Sequence, residues 1–194
     1  MLVLNELHRG RAGEVFSSKI NNIMSYTDWI ELVELSIPNK NRLSILEFGL
    51  GEGTKYLLDN FKFVYSHELA AKPKYYDSTV QKFSKSRNWK HELVLFSDIG
   101  FVDFNPDLPK VLLSGITKLF NRYKFDVVLV DGNYHVRGDI ANFILNKFHP
   151  KYVIIHDINL AFKEDGYDRI KLPPKYESVS SNVGEGTRIF VKNS

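Results

Sequence analysis

Ile45-Leu46-Glu47-Phe48-Gly49-Leu50-Gly51-Glu52-Gly53-Thr54 is the most informative stretch of this chain. An apolar run enters it, three glycines alternate with other residues, and the helix-compatible Lys55-Tyr56-Leu57-Leu58 follows. The pattern reads as a buried strand, a tight turn and the start of a helix. Glycine tolerates positive φ and lets a ligand approach the backbone closely. The helix N-terminus behind the turn offers free N–H groups and a partial positive charge. Such a corner binds the polar part of a nucleotide-like ligand.

Strand and helix signals alternate outward from this stretch. Leu43 to Phe48 reads as a strand and Thr54 to Asn60 as its helix. Phe61 to Ser66 is a second strand, ending at His67-Glu68, and Tyr75 to Lys85 a helix. Glu92 to Phe96 is a third strand, followed by Ser97-Asp98; a loop at Asn105 to Pro109 precedes a helix over Lys110 to Tyr123. Phe125 to Val130 is a fourth strand ending at Asp131-Gly132, Arg137 to Phe148 a helix, and Tyr152 to Ile155 a fifth strand ending at His156-Asp157. Continuous Val/Ile/Leu strands separated by helices imply a parallel sheet covered on both faces. Right-handed crossovers make that a doubly wound α/β fold. The last third changes rhythm: Tyr176 to Ser180 and Thr187 to Lys192 are strand-like around a turn at Ser181 to Gly186, an antiparallel hairpin. The expected architecture is a mostly parallel, seven-stranded sheet with a C-terminal antiparallel hairpin and helices on both faces. Asn21 to Leu35 has near-helical apolar spacing, with Ser25 or Thr27 as a cap, so residues 1–40 are expected to form a helical layer before a core at 43–192.

Length and composition set bounds. The 194 residues fit one domain, 1–194, with a sizeable core. No run approaches the roughly 20 apolar residues of a membrane span, and Met1 to Gly10 lacks the apolar centre of a signal peptide, so a cytoplasmic setting is expected. The absence of cysteine excludes disulfides, thiolate metal sites and a cysteine nucleophile. A net charge of +3 does not by itself argue for nucleic acid.

In such a sheet, ligands bind beyond the carboxyl ends of the strands, near the switch in strand order. Five predicted strand ends carry carboxylates on that rim: Glu47, Glu68, Asp98, Asp131 and, beside His156, Asp157. A nicotinamide or flavin site wants G-x-G-x-x-G, but the glycines here follow G-x-G-x-G and position 54 is Thr. At this point the chain, from about Leu43 to Val191, resembles the class I S-adenosylmethionine-dependent methyltransferases. Their first motif, acidic-x-Gly-x-Gly-x-Gly after a strand, is matched by Glu47-Phe48-Gly49-Leu50-Gly51-Glu52-Gly53. The resemblance implies S-adenosylmethionine as cofactor. Gly49, Gly51 and Gly53 would pass under its methionyl and ribose portion, and Glu47 would hold the methionyl ammonium through water. Glu68 would accept hydrogen bonds from both ribose hydroxyls. Asp98 would lie near the adenine amino group, with Ile99 or Phe96 against the ring, and Asp131 would face the reactive methyl.

Methyl transfer needs alignment and removal of the acceptor's proton. His135 or His156 could be the general base, since histidine titrates near neutrality. Alternatively, Asp131 and Asp157 could hold Mg2+ or Mn2+ to lower the pKa of an acceptor hydroxyl. Cation-dependent O-methyltransferases place metal carboxylates at these strand ends, but here no Asn follows Asp157 directly; Asn159 stands two places on. Phe48-Gly49-Leu50-Gly51, Val130-Asp131-Gly132 and Ile155-His156-Asp157-Ile158-Asn159 also resemble the plant glucuronoxylan O-methyltransferases and related bacterial sugar enzymes. That implies a carbohydrate or small-molecule hydroxyl as acceptor. The Asn/Asp-Pro-Pro-Tyr signature of amino-methylating enzymes is replaced by Asp131-Gly132-Asn133-Tyr134. The alternative is an RNA-associated or non-catalytic module that keeps the fold. It would use Lys72, Lys74, Lys82, Lys85, Arg87 and Lys90, interleaved with Tyr75, Tyr76, Phe83 and Trp89. An amphipathic helix with solvated lysines explains the same stretch. Phe162 to Pro174 follows the fifth strand and is either a substrate lid or a polar connection.

Overall fold

A computed structural model describes residues 2–3, 27–70, 74–100, 108–132, 136–158, 167–181 and 186–193. In chain order the elements are β1 (Leu2–Val3), α1 (Thr27–Ser36), β2 (Ser44–Phe48), α2 (Gly53–Asn60), β3 (Phe63–Ala70), α3 (Lys74–Phe83), β4 (Trp89–Leu95) and α4 (Phe96–Ile99). The chain continues through α5 (Lys110–Arg122), β5 (Val127–Val130), α6 (Arg137–Lys147), β6 (Tyr152–His156), β7 (Tyr176–Ser181) and β8 (Thr187–Lys192). One sheet runs in the order β1-β7-β8-β6-β5-β2-β3-β4. The strands β4-β3-β2-β5-β6 are mutually parallel, and β8 is antiparallel to both β6 and β7.

The central strands are buried on both sides. Along β2, Ile45 and Leu46 turn to opposite faces; along β5, so do Val127 and Val128, and along β6, Val153 and Ile154. Neither face can meet water, which is why these strands read as unbroken apolar runs rather than alternating ones. One face packs Leu46, Val128 and Val153 against Leu112, Ile116 and Leu119 of α5 and Ile140 and Ile144 of α6. The other packs Ile45, Val127 and Ile154 against Trp29, Leu32 and Val33 of α1 and Leu57 of α2. Trp29 is fully buried there and meets Tyr56 edge-on, with ring centroids 5.5 Å apart.

The seven expected strands are β2 to β8, and the hairpin is β7–β8. Two strand boundaries differ from the sequence reading by three residues or more, and one strand is new. The second strand continues through Glu68 to Ala70, so Glu68 sits within the strand rather than after it. The third strand starts at Trp89 rather than Glu92. It is an edge strand with every residue partly exposed or exposed, so it tolerates the polar Lys90, His91 and Glu92 that hide it from an apolar-run reading. Leu2–Val3 adds an unforeseen edge strand, parallel to β7 with Leu2 opposite Val179; two residues carry no readable period. The expected helix over Asn21 to Leu35 is realised from Thr27 onward, its first part lying outside the described residues. The same holds for the Asn105 to Pro109 loop, except Leu108 and Pro109, and for residues 182–185 of the hairpin turn. Among the described residues, no helix is long and apolar enough to cross a membrane.

The switch in strand order falls between β2 and β5, where chains leave the sheet in opposite directions. Asp131 donates its N–H to the carbonyl of Phe48 (2.9 Å), and Gly49 donates to that of His67 (3.0 Å). The turn is thereby stitched to both neighbouring strands. Gly49 has φ +99°, and a Cβ there would lie 2.7 Å from the backbone of Asp131 and Gly132. Only a residue without a side chain lets the two strand exits touch. Gly49→Ala should therefore destabilise by about 3 kcal/mol, a fall in melting temperature of roughly 6–12 °C for a chain of this size. Calorimetric melting checks this; an unchanged transition contradicts it.

Candidate active site

Glu47 lies at the end of β2 and is only 3% exposed. Its carboxylate accepts hydrogen bonds from the hydroxyls of Ser66 (2.6 Å) and Thr54 (2.9 and 3.1 Å). Thr54 in turn accepts the N–H of Gly51 at 3.0 Å. Glu47 thus holds the glycine turn from beneath, through the first turn of α2. Burial pushes its carboxyl up to about 8, against the opposing effect of the two hydroxyl bonds.

Above the turn, Glu68 accepts the N–H of Leu50 at 2.6 Å. Burial raises its carboxyl to about 7, with the Leu50 bond opposing the shift and the Asp131 charge adding to it. Beside Gly51 stands a side-chain tip: a Cβ would come within 3.2 Å of the Tyr75 hydroxyl. Tyr75, in the first turn of α3 and 57% exposed, therefore stands over the turn. The sequence reading counted it only in the basic–aromatic stretch, and nothing local to it marks this position. Gly53 opens α2 and is buried. Asp98 is exposed in the first turn of α4, on the next strand end, and accepts the Ser97 hydroxyl at 3.3 Å.

The remaining strand ends converge on one cluster. His156 closes β6 and is buried; its Nδ1 is 2.8 Å from Asp131 Oδ1 and its Nε2 3.2 Å from Asp157 Oδ1. Both carboxylates accept only when both ring nitrogens carry protons. Asp157 adopts φ +56°, in the left-handed region uncommon for a non-glycine residue. Asp131, His156 and Asp157 each offer a ligand atom, all within 4.8 Å of one another, a donor set that fits a hard divalent cation.

Arg137 was missed in the sequence and is central to this cluster. It is the first residue of α6 and only 8% exposed. Its Nε donates to the carbonyl of Gly132 (2.8 Å), and its Nη1 to the carbonyl of His156 (3.1 Å) and to Asp157 Oδ2 (2.6 Å). Its Nη2 donates to the carbonyl of Asp131 at 3.3 Å and is 3.5 Å from Asp131 Oδ1. Burial works against this cation, but the Asp131 charge and the Asp157 bond outweigh it and strengthen its hold on the proton. Most of its partners are backbone carbonyls of two distant strand ends, so no sequence motif signals it. Among the other predicted site residues, His135 lies outside the described residues, as do Asn133, Tyr134 and Asn159.

Of the rings in the basic–aromatic stretch, Phe83 is buried, Tyr76 and Trp89 are half-buried and Tyr75 is exposed. Phe83 meets Trp89 edge-on at 6.0 Å, while Trp89 donates to Ser66 at 2.9 Å. Tyr76 pairs with His91 at 2.6 Å, and Lys82 with Glu52 at 2.6 Å. Lys72 lies outside the described residues. Within the Phe162 to Pro174 segment, residues 162–166 also lie outside them. The following residues are fastened to α6: Arg169 Nη2 to Asp139 at 2.6 Å, and the Lys171 N–H to Asn142 at 2.9 Å.

Glu47 generates a pH test. Its carboxyl titrates higher in the folded than in the unfolded chain, so the folded state holds the proton more tightly. That contribution to stability is fully present below the ordinary carboxyl range and is lost as pH rises through about 8. Glu68 acts in the same direction. The melting temperature should fall between about pH 5 and about pH 9, and Glu47→Gln should flatten that fall. A variant whose pH profile parallels the parent's contradicts the assignment.

No family model matches the chain, and no curated protein does. Solved structures do. Podospora anserina methyltransferase PaMTH1, bound to SAH, aligns with a TM-score of 0.52 at 13% identity, over 78% of this chain and 72% of that one. A Staphylococcus aureus protein assigned as a caffeoyl-CoA O-methyltransferase aligns with a TM-score of 0.53 at 14% identity, over 85% and 83%. The 23S rRNA methyltransferase ErmE aligns with a TM-score of 0.51 at 16% identity, over 89% and 70%. Strand order, the antiparallel closing hairpin and these likenesses agree: the chain has the class I methyltransferase fold.

Proposed function

We propose that the chain is an S-adenosylmethionine-dependent methyltransferase acting, in the cytoplasm, on the oxygen of a small-molecule or carbohydrate hydroxyl. One observation carries the reading: the Leu50 N–H and the Glu68 carboxylate meet at 2.6 Å above a three-glycine turn, beside the Asp131–His156–Asp157 cluster. A ribose diol needs an acceptor for two hydroxyls, and Glu68 supplies it. Gly51 leaves the space a cofactor's sugar and methionyl portion would fill. Gly49 keeps the turn against the β5 exit, and Glu47 with Thr54 fixes its shape and, through water, faces the methionyl ammonium. Gly53 places the N-terminus of α2 behind the turn. Asp98 is the partner for the adenine amino group.

Bound S-adenosylmethionine would supply a methyl already activated on a sulfonium. The chain's own part would be to align an acceptor hydroxyl with that methyl and to take the acceptor's proton on a base. His156, between Asp131 and Asp157, is one such group in its singly protonated form, which leaves a lone pair on one ring nitrogen; His135 is the other candidate from the sequence. A second reading rests on the same cluster: Asp131, Asp157 and His156 hold Mg2+ or Mn2+. A bound divalent cation would lower the pKa of the acceptor hydroxyl.

The likeness to a caffeoyl-CoA O-methyltransferase favours a small acceptor, and that to a 23S rRNA methyltransferase keeps RNA as the alternative acceptor. Phe83 is buried against Trp89 and Tyr76 is bonded to His91, so Tyr75 is the one exposed ring of α3 among the described residues, which favours the small acceptor.

Calorimetry with S-adenosylmethionine and S-adenosylhomocysteine should give saturable binding. Gly51→Val should abolish it, with a much smaller change in melting temperature than Gly49→Ala. Absence of binding at millimolar cofactor, or normal binding by Gly51→Val, contradicts the reading and leaves the non-catalytic module. With labelled cofactor and a panel of hydroxyl acceptors, exhaustive chelation distinguishes the two chemistries. Loss of turnover restored by magnesium or manganese supports the metal; full turnover after chelation, abolished by His156→Ala, puts proton removal on the histidine.

A further inference from the structure

At the opposite end of the sheet from the glycine turn lies a cleft of about 840 Å3, of a size that accommodates a small ligand. It is formed where α5 and α6 end and β5 and β6 begin, with the end of β8 alongside. Phe120, Tyr123 and Phe148 supply its apolar wall, and Phe120 and Phe148 stack on each other at 4.0 Å. Arg122, Lys124, Lys151 and Lys192 also line it. Among the described residues, none of these four cations has a carboxylate partner. The lining holds one carboxylate, Asp126, and that accepts the Ser44 N–H at 3.0 Å.

Helix ends account for part of this charge. The carbonyl ends of α5 and α6 carry partial negative charge, and cations in a last turn offset it. Arg122 in α5 and Lys147 in α6 already fill that role. Lys192 donates to the carbonyl of His149 just past α6 at 3.5 Å, so Lys124 and Lys151 are surplus to it. Further positive charge adjoins the wall: the Lys90 ammonium lies 5.2 Å from the Tyr123 ring centre and 3.2 Å from its hydroxyl. An aromatic wall beside unpaired cations suits a ligand with a planar ring and an attached anion. Rings favour aromatic neighbours, and Lys and Arg favour phosphate.

We propose that this cleft binds nucleoside phosphates, either free or as part of a single strand. The site is independent of the glycine turn and of any methyl transfer there. The test uses the full chain, with adenosine 5′-monophosphate and a labelled single-stranded uridine octamer in separate titrations. Saturable binding is expected, weakened about tenfold by the double variant Lys124→Glu/Lys151→Glu and by added salt. Both lysines are exposed, so the variant should melt normally. Displacement of the octamer by the mononucleotide supports a site for free nucleotides; binding of the octamer alone supports a strand. The proposal is overturned if neither ligand binds, if the double variant binds as the parent does, or if Lys110→Glu/Lys118→Glu on the exposed surface of α5 weakens binding equally. A poly-glutamate peptide of matched charge that binds as tightly as the octamer also overturns it, because the ring would then contribute nothing.

Discussion

The close approach of Gly49 to the backbone of Asp131 and Gly132 is the constraint on which the rest depends. It brings two strand exits, 82 positions apart as 49 and 131, into direct contact without an intervening side chain. Because the chain leaves β2 and β5 toward different faces, this contact sits at the floor of the reversal in the parallel run. The glycine turn and the Asp131 rim are therefore parts of one surface. A side chain at position 49 would push the glycine turn away from the Asp131 rim.

Two buried polar devices hold that surface rigid, the second of them an ion pair. Beneath the turn, Glu47 gathers Thr54 and Ser66, and Thr54 passes the restraint to the Gly51 N–H. On the rim, Arg137 ties the carbonyls of Asp131, Gly132 and His156 to the Asp157 carboxylate. Removing one member of a buried ion pair such as Arg137–Asp157 typically costs about 3–5 kcal/mol, and here it would release two strand ends at once. The cost of burying these charges is consistent with pre-organisation: groups that must meet a reacting bond are best fixed before it arrives.

Much of this was legible from the sequence, for physical reasons. Strands covered on both faces must be apolar at every position, so β2, β5 and β6 announce themselves through Ile45, Leu46, Val127, Val128, Ile154 and Ile155. The glycine spacing signals the turn because positive φ and close backbone contact admit few other residues. Edge strands are different. β4 is half exposed, so Lys90 and His91 are as acceptable as valine, and its start was read three residues late. Glu68 was recognised as a rim carboxylate but placed after a strand that in fact continues to Ala70. Arg137 and Tyr75 were not legible, because their roles arise from carbonyls and a turn contributed by other elements.

The central claim is that the glycine turn itself receives the cofactor. The most direct measurement is a titration of the isotope-labelled chain with S-adenosylhomocysteine, followed through assigned backbone amide resonances. The account predicts that the Leu50, Gly51 and Gly53 amides shift together and saturate together, while Tyr123 and Lys124 at the far end of the sheet stay unmoved. Saturation with the turn amides unmoved would contradict it.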